Sequence, residues 1–466
     1  MPFDRFIVSR EQRARSTLVV ALVMVLAFAH QARPQATASA QQVLTLRALL
    51  DSVRRGHPSI RAADSRSRAA EGGRITARAF GNPILGYQVD QTPFPGGRPI
   101  VGMEREAMTT AIVPLEFLYQ RGPRVARATA DVRAAEAEAG AARQRTALDA
   151  ATAYYRTALA QIQVATTHDL LGWLDTLVAY NRSRVREGVA AEADLIRSEL
   201  ERDRLAAEAS MQGAELVQAR AALAAYLSDV PTSAPLPAVA IDDVPLPLPA
   251  SLPAALRPSV ASFAPPNAAA STSGSIDARP EVRAARERLA ASRAAVAGER
   301  SMIVRQLGAT IGTMQTGRTT SMIAGLSVPL PLFDQNRGEI QRANAERDAA
   351  AYELAGQERT ATAELRGAIE GARILTERAA SLARRDSTSF LARAEESRRI
   401  ALGAYREGAV PLFQVIDAAR TWADARMTYY RTMVAQHQSV LSLLVAEGLD
   451  LFTATPAPIS SGESLK

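Results

Sequence analysis

Pro83-Ile84-Leu85-Gly86-Tyr87-Gln88-Val89-Asp90 places Leu85, Tyr87 and Val89 on one face of an extended chain and Gly86, Gln88 and Asp90 on the other. Period-two alternation of this kind is the signal of a strand. Three more runs repeat it. Ala107, Thr109, Ala111, Val113 and Leu115 share a face; Leu307, Ala309 and Ile311 alternate with Gln306, Gly308, Thr310 and Gly312; Met322, Ala324, Leu326, Val328 and Leu330 alternate with smaller or polar neighbours. The runs form two pairs, joined by turn residues at Pro93 to Pro99 and Thr316 to Thr320. A run of about ten residues with one apolar face has the length of a tilted membrane-spanning strand, although surface hairpins also alternate.

Each pair sits between helical stretches. A moderate helix precedes it, at about 45–79 and again at 279–302. Two long helices follow, at about 123–187 and 191–227, then at 338–405 and 411–448. A continuous helix over 123–187 reaches about 100 Å at 1.5 Å per residue. Its apolar seam has coiled-coil spacing: Leu148, Ala151, Tyr155, Leu159, Ile162, Thr166, Leu170, Trp173 and Leu177. The last helix repeats that spacing through Val415, Ala419, Trp422, Arg426, Tyr430, Val434, His437, Leu441 and Leu444. Both helix pairs turn at a glycine, Gly188 or Gly408, the residue suited to a tight helix end.

The two halves share words as well as order. His57-Pro58-Ser59-Ile60-Arg61-Ala62-Ala63 matches Arg279-Pro280-Glu281-Val282-Arg283-Ala284-Ala285. Val113-Pro114-Leu115 matches Val328-Pro329-Leu330, and Arg186-Glu187-Gly188 matches Arg406-Glu407-Gly408. The offsets are 222, 215 and 220 residues. Three ordered matches at a near-constant offset predict an internal duplication. Between the halves lies 228–278, which holds ten of the 25 prolines and reads as an irregular connector. The expected organisation is a leader over 1–40, a first repeat over 41–227, the connector, a second repeat over 279–450 and a tail over 451–466.

Composition narrows the function. Of 466 residues, 55 are basic and 48 acidic, and Lys466 is the sole lysine. About one residue in five is alanine, well above ordinary usage, which suits closely packed helices. There is no cysteine, so disulfides, thiolate metal sites and a Cys-linked lipid are excluded. Residues 1–40 show a basic start, an apolar run from Thr17 to Ala29 and an ending in Ala38-Ser39-Ala40, the grammar of a cleaved export signal. Its removal leaves 50 basic and 46 acidic residues, a net charge of +4. No later window supplies the 18 or more apolar residues of a membrane-spanning helix. An exported chain of this kind is either soluble or a membrane β-barrel.

No phosphate loop, metalloprotease motif or nucleophile elbow is present, so no enzyme activity, cofactor or metal site is expected. His437 sits on a helix seam and reads as a packed core residue. The carboxylates alternate with arginine along helices, as on solvated faces. Arginine is not interleaved with aromatics, which argues against a nucleic-acid partner.

Four features together resemble the outer-membrane efflux proteins of the TolC family. They are the duplicated plan, Val328-Pro329-Leu330-Pro331-Leu332-Phe333-Asp334-Gln335-Asn336-Arg337-Gly338, its counterpart Tyr119-Gln120-Arg121-Gly122, and Tyr405-Arg406-Glu407-Gly408 through Asp417-Ala418-Ala419-Arg420. The resemblance spans about 43–450, and its wording is most similar to the CzcC-like heavy-metal efflux branch. It implies a mainly α fold with membrane β: a homotrimer whose four strands per protomer close one 12-stranded barrel, continued by a long α-helical barrel. It implies an outer-membrane location reaching into the periplasm and contact with outer-membrane lipid; the missing cysteine leaves no lipoprotein anchor expected. Phe80, Tyr87, Phe94, Phe117, Tyr119 and Phe333 would supply interfacial aromatics. The function implied is passive conduction in a tripartite efflux system, with a periplasmic adaptor and an inner-membrane pump of the RND type as partners. The adaptor would dock on the tips, Val185, Arg186, Glu187, Gly188 and Val189 with Arg406, Glu407, Gly408 and Ala409. Gate positions fall on Asp417, Gln414, Asp194 and Tyr405. Gln414 stands where the family pattern has an acid, and Val410 where it has an arginine partner. The competing reading from the residues is a periplasmic coiled-coil scaffold or adaptor without a channel.

Overall fold

A computed structural model describes residues 43–90, 104–227, 237–239, 275–304, 307–383 and 389–454. The export signal expected over 1–40, the Pro93 to Pro99 turn with Phe94, and most of the connector lie outside the described residues. The chain begins with helices α1 (Leu46–Gly56) and α2 (Pro58–Arg78). The helical pattern over about 45–79 predicts one helix here, and His57 is why there are two. A residue before proline is pushed out of the α region, and His57 has φ −62° and ψ 130°. Its Nδ1 accepts the Ser59 amide at 3.3 Å, and Pro58 takes the first helical position.

Strands β1 (Ile84–Asp90) and β2 (Glu106–Pro114) follow. A 3₁₀ turn over Glu116–Leu118 leads to α3 (Arg121–Arg186), whose 66 residues span about 100 Å. Helix α4 (Glu192–Ala224) returns. The second half has the short α5 (Ser275–Ala278), then α6 (Pro280–Ser301), β3 (Gly308–Thr316) and β4 (Thr319–Ser327). Arg279 before Pro280 has the same φ −62° and ψ 130° as His57, so the matched words fold alike. Next come α7 (Arg337–Leu382), α8 (Phe390–Arg406), α9 (Leu412–Ala446) and α10 (Leu451–Ala454). The long helix expected over 338–405 is thus two helices. Ser389 starts the second, accepting the Ala392 amide on its hydroxyl at 3.2 Å. Leu451, read as the start of a tail, is buried in the core.

The four strands form one antiparallel sheet in the order β1-β2-β3-β4. Leu85 pairs with Ala111, Ala111 with Ile311, and Ile311 with Ala324. Tyr87 lines up with Thr109, Thr313 and Met322 in the same way. The register therefore gathers the four faces read from the sequence onto one side of the sheet. The other side is mixed: Gly86, Gln88, Asp90, Thr110, Thr310, Gly312, Ser321 and Ser327 stand there with Ile84, Met108, Ile112, Met314 and Ile323. The apolar side is uncovered: Leu85, Tyr87, Ile311, Met322 and Leu326 are all exposed. Gly312 is needed for the pairing, because a Cβ there would lie 2.2 Å from the Thr109 carbonyl oxygen.

The main core joins α1, α3 and α9. Tyr154, Tyr155, Tyr429 and Tyr430 are fully buried in it, with Leu49, Val53 and Ile162. His437 is buried beside them, its Nδ1 2.8 Å from the Met433 carbonyl. Gln161 fastens the described stretch 237–239 of the connector, accepting the Val239 amide and donating to the Val239 carbonyl, each at 3.0 Å. Among the described residues no helix is long and apolar enough to cross a membrane.

Candidate functional site: the paired helical tips

Helices α3 and α4 turn at 187–191, and α8 and α9 turn at 407–411. The two turns have one design. Gly188 and Gly408 adopt φ +72° and +76°, in the left-handed region that favours glycine. Val189 donates to the Arg184 carbonyl at 2.9 Å and Gly188 to Val185 at 3.0 Å. Ala409 donates to Ala404 at 2.8 Å and Gly408 to Tyr405 at 3.1 Å. This pattern is a Schellman cap, which satisfies the last helical carbonyls. Arg186, Glu187, Gly188 and Val189 are exposed on one turn, and Arg406, Glu407, Gly408 and Ala409 on the other. Val185 is half-buried beneath them.

Beneath the turns the two pairs pack together. Leu170, Leu174, Leu177, Leu205, Tyr405, Leu412, Val415 and Ala419 form a second core, with Val410 and Ile416 at its edge. Val410, expected to stand at a gate-partner position, packs here as an apolar residue. Tyr405 donates its hydroxyl to Asn181 Oδ1 at 2.7 Å, and both side chains are buried. Arg184 lies over the rings of Tyr180 and Tyr405, 5.6 and 5.7 Å from their centroids. Each such contact contributes on the order of 0.5–2 kcal/mol, more where water is excluded. Burial pushes the Tyr405 hydroxyl pKa up, and the negative charge of half-buried Asp194 adds to the shift.

The other gate candidates lie on the exposed side of α9. Gln414 and Asp417 are one turn apart and exposed. Asp417 acts on Arg420, whose guanidinium is bound by both carboxylate oxygens of Glu201 on α4. A second tie between neighbouring helices runs from Arg182 to Glu199 at 2.7 Å. The geometry brings Asp194 to Tyr405 and Asp417 to Arg420. Sequence reasoning missed Asn181, Arg184 and the arginines stacked on tryptophan further up. Arg398 lies 4.6 Å from the Trp422 ring centroid and 5.8 Å from that of Trp173. Arg426 covers Trp422 at 4.9 Å and pairs with Asp169 at 3.3 Å. Among the described residues no group of three or more His, Asp or Glu is placed to hold a metal ion.

At the sheet-proximal end, the resemblance-bearing words have a physical role. Asn336 adopts φ +56° and is buried. Its side-chain amide donates to the Glu299 carbonyl at 2.8 Å and to Glu299 Oε2 at 3.0 Å, while its backbone N–H donates to Asp334 Oδ1 at 2.9 Å. Asparagine is one of the few residues that tolerates the left-handed region. Here it turns the chain after β4 into α7. Phe80 and Phe117 stack edge to face on the first-half side, with Arg121 over Phe80 at 4.9 Å. Phe333 is fully exposed.

The fold is similar to that of solved outer-membrane channels. VceC, an outer membrane protein of Vibrio cholerae, superimposes with a TM-score of 0.68 at 20% identity, over 86% of this chain and 96% of that one. The outer-membrane channel OprN gives 0.69 at 21%, over 86% and 89%. CusC, whose structures concern folding and transmembrane channel formation, gives 0.69 at 18%, over 87% and 92%. No curated protein is matched. Residues 273–449 match the family described as outer membrane efflux protein.

Proposed function

We propose that this chain is the outer-membrane channel of a tripartite efflux system. The observation that carries the reading is the sheet: four antiparallel strands, an uncovered apolar face and two edges, β1 and β4, without a partner strand among the described residues. Unpaired strand edges are not tolerated in hydrocarbon, and four strands are too few to close a barrel. Three copies joined edge to edge make a 12-stranded barrel with Leu85, Tyr87, Met322 and Leu326 toward lipid. The helices continue it as a periplasmic tunnel. The two halves are one duplicated unit, over 41–227 and 279–450, on either side of the connector 228–278, and residues 1–40 direct export.

Conduction is passive, and an inner-membrane pump of the RND type supplies the energy. The periplasmic adaptor docks on the exposed tip turns, Val185 to Val189 and Arg406 to Ala409. Asp417 and Gln414 line the narrow end, with Asp194 and Tyr405 beside them. Three symmetry copies of Asp417 would favour passing cations. The test is fractionation and planar-bilayer recording of the full chain. Outer-membrane recovery with single-channel conductance supports the reading, and Asp417→Asn should then lower cation selectivity. A soluble periplasmic chain without conductance refutes it.

A further inference from the structure

Helix α6 carries arginine at every seventh position from its N-cap to its last turn: Arg279, Arg286, Arg293 and Arg300. Seven residues are close to two helical turns, about 10 Å, so the four stand in one row along the helix. Helix α7 runs beside that row, and the first two rungs close on its acids. Arg279 pairs with Glu364 at 2.6 Å. Arg286 pairs with Glu358 at 3.7 Å and with Asp277 of α5 at 2.6 Å.

The next two rungs stay open. Arg293 and Arg300 line one cleft of about 380 Å³ with Val296, Ala297 and, from α7, Arg347. Both are exposed, and neither makes an ion pair among the described residues. The acids beside these arginines in sequence are engaged. Glu299 accepts the Asn336 amide at 3.0 Å, and Glu346 holds Arg342 at 2.8 Å. Asp348 is bound by Arg347 of its own helix at 2.8 Å. Three guanidinium groups against the Asp348 carboxylate leave two positive charges in the cleft. The rung that carries an acid on α7 further along the row thus carries a third cation here. Like charges facing across a cleft repel, and an anion with several acceptor oxygens between them turns the repulsion into attraction. The guanidinium fork matches the oxygens of a phosphate.

We propose that the α6–α7 cleft is a binding site for a phosphate group, held by Arg293 and Arg300 with Arg347 opposite. Arg300 lies in the last turn of α6, eight residues before β3 begins at Gly308. On the channel reading above, on which this source alone rests, the cleft lies at the membrane end of the helices, within reach of a phospholipid headgroup. Arginines at such a depth attract anionic lipid. A free phosphate offers the same chemistry.

Isothermal titration of the full-length protein in detergent with inorganic phosphate tests the site itself. Affinity should fall about fivefold for each arginine removed, hence about 25-fold in the double variant Arg293→Gln, Arg300→Gln. Arg286→Gln removes the same charge from the same row at a closed rung, and should leave phosphate affinity unchanged. If the double variant does not fold, the two single variants carry the test. No phosphate binding by the wild-type chain, or an equal loss in Arg286→Gln, overturns the proposal. Native mass spectrometry with added phosphatidylglycerol or phosphatidylcholine separates the sources. Preferential retention of phosphatidylglycerol, lost in the double variant, supports the headgroup; phosphate binding without lipid retention supports the free anion. A soluble chain without conductance would refute the channel reading alone, because the phosphate titration needs no membrane.

Discussion

Asn336, in the left-handed region after β4, donates its side-chain amide to the backbone carbonyl of Glu299 in the last turn of α6. One residue thus turns the chain out of the sheet and caps the helix that entered it. Asn336→Ala removes both the permissive backbone and the hydrogen bond, and should cost about 2–4 kcal/mol. Asn336→Gly restores the backbone and should cost about half that. Thermal unfolding of the two variants checks the ranking.

The tip glycines make a narrower prediction. A Cβ at Gly188 or Gly408 meets no neighbouring atom, so the whole cost of substitution is conformational. Gly408→Ala should destabilise by about 1–2 kcal/mol. Gly408→Asn should cost less, because asparagine enters the left-handed region more readily. Amide hydrogen exchange at Ala409, whose N–H closes the cap, should rise in the alanine variant.

The two sides of the sheet should respond differently to charge. Met322→Arg puts a guanidinium on the apolar face and should cost about 2–4 kcal/mol if that face lies at mid-membrane depth. Ser321→Arg, one residue away on the opposite face, should be tolerated. Yields of folded protein in the outer-membrane fraction distinguish them, and equal yields would argue against a lipid-facing side.

His57 gives a pH dependence with a definite sign. Burial lowers its pKa below the ordinary 6.5, favouring the neutral ring whose Nδ1 accepts the Ser59 amide. The unfolded chain therefore binds a proton more readily than the folded one. This contribution is present above pH 6.5 and is lost as pH falls through the lowered folded value. His57→Asn keeps a capping acceptor without a titrating ring. Melting temperatures between neutral and mildly acidic pH should slope less in the variant.

These positions also show what a single sequence reveals. The strand faces were legible because alternation is local, and the pairing then aligned all four. The helix seams were legible for the same reason: Ala151, Tyr155, Ile162 and Leu170 on α3 are buried, as are Val415, Ala419, Tyr430 and Leu441 on α9. The break at His57 had a local signal, the proline after it, which the Ala-rich pattern on either side outweighed. The break between α7 and α8 had a weaker one in Ser389. Tyr405 with Asn181, and Arg398 with Trp173, are pairs more than 220 residues apart. Nothing in either neighbourhood names the partner, because helix packing brings them together.

Three sheets closing one barrel is the central claim, and the mass of the detergent-extracted particle tests it most directly. Native mass spectrometry of the full chain from the outer-membrane fraction should give three copies, stable to dilution. A single chain, with its β1 and β4 edges unpaired, would contradict the account.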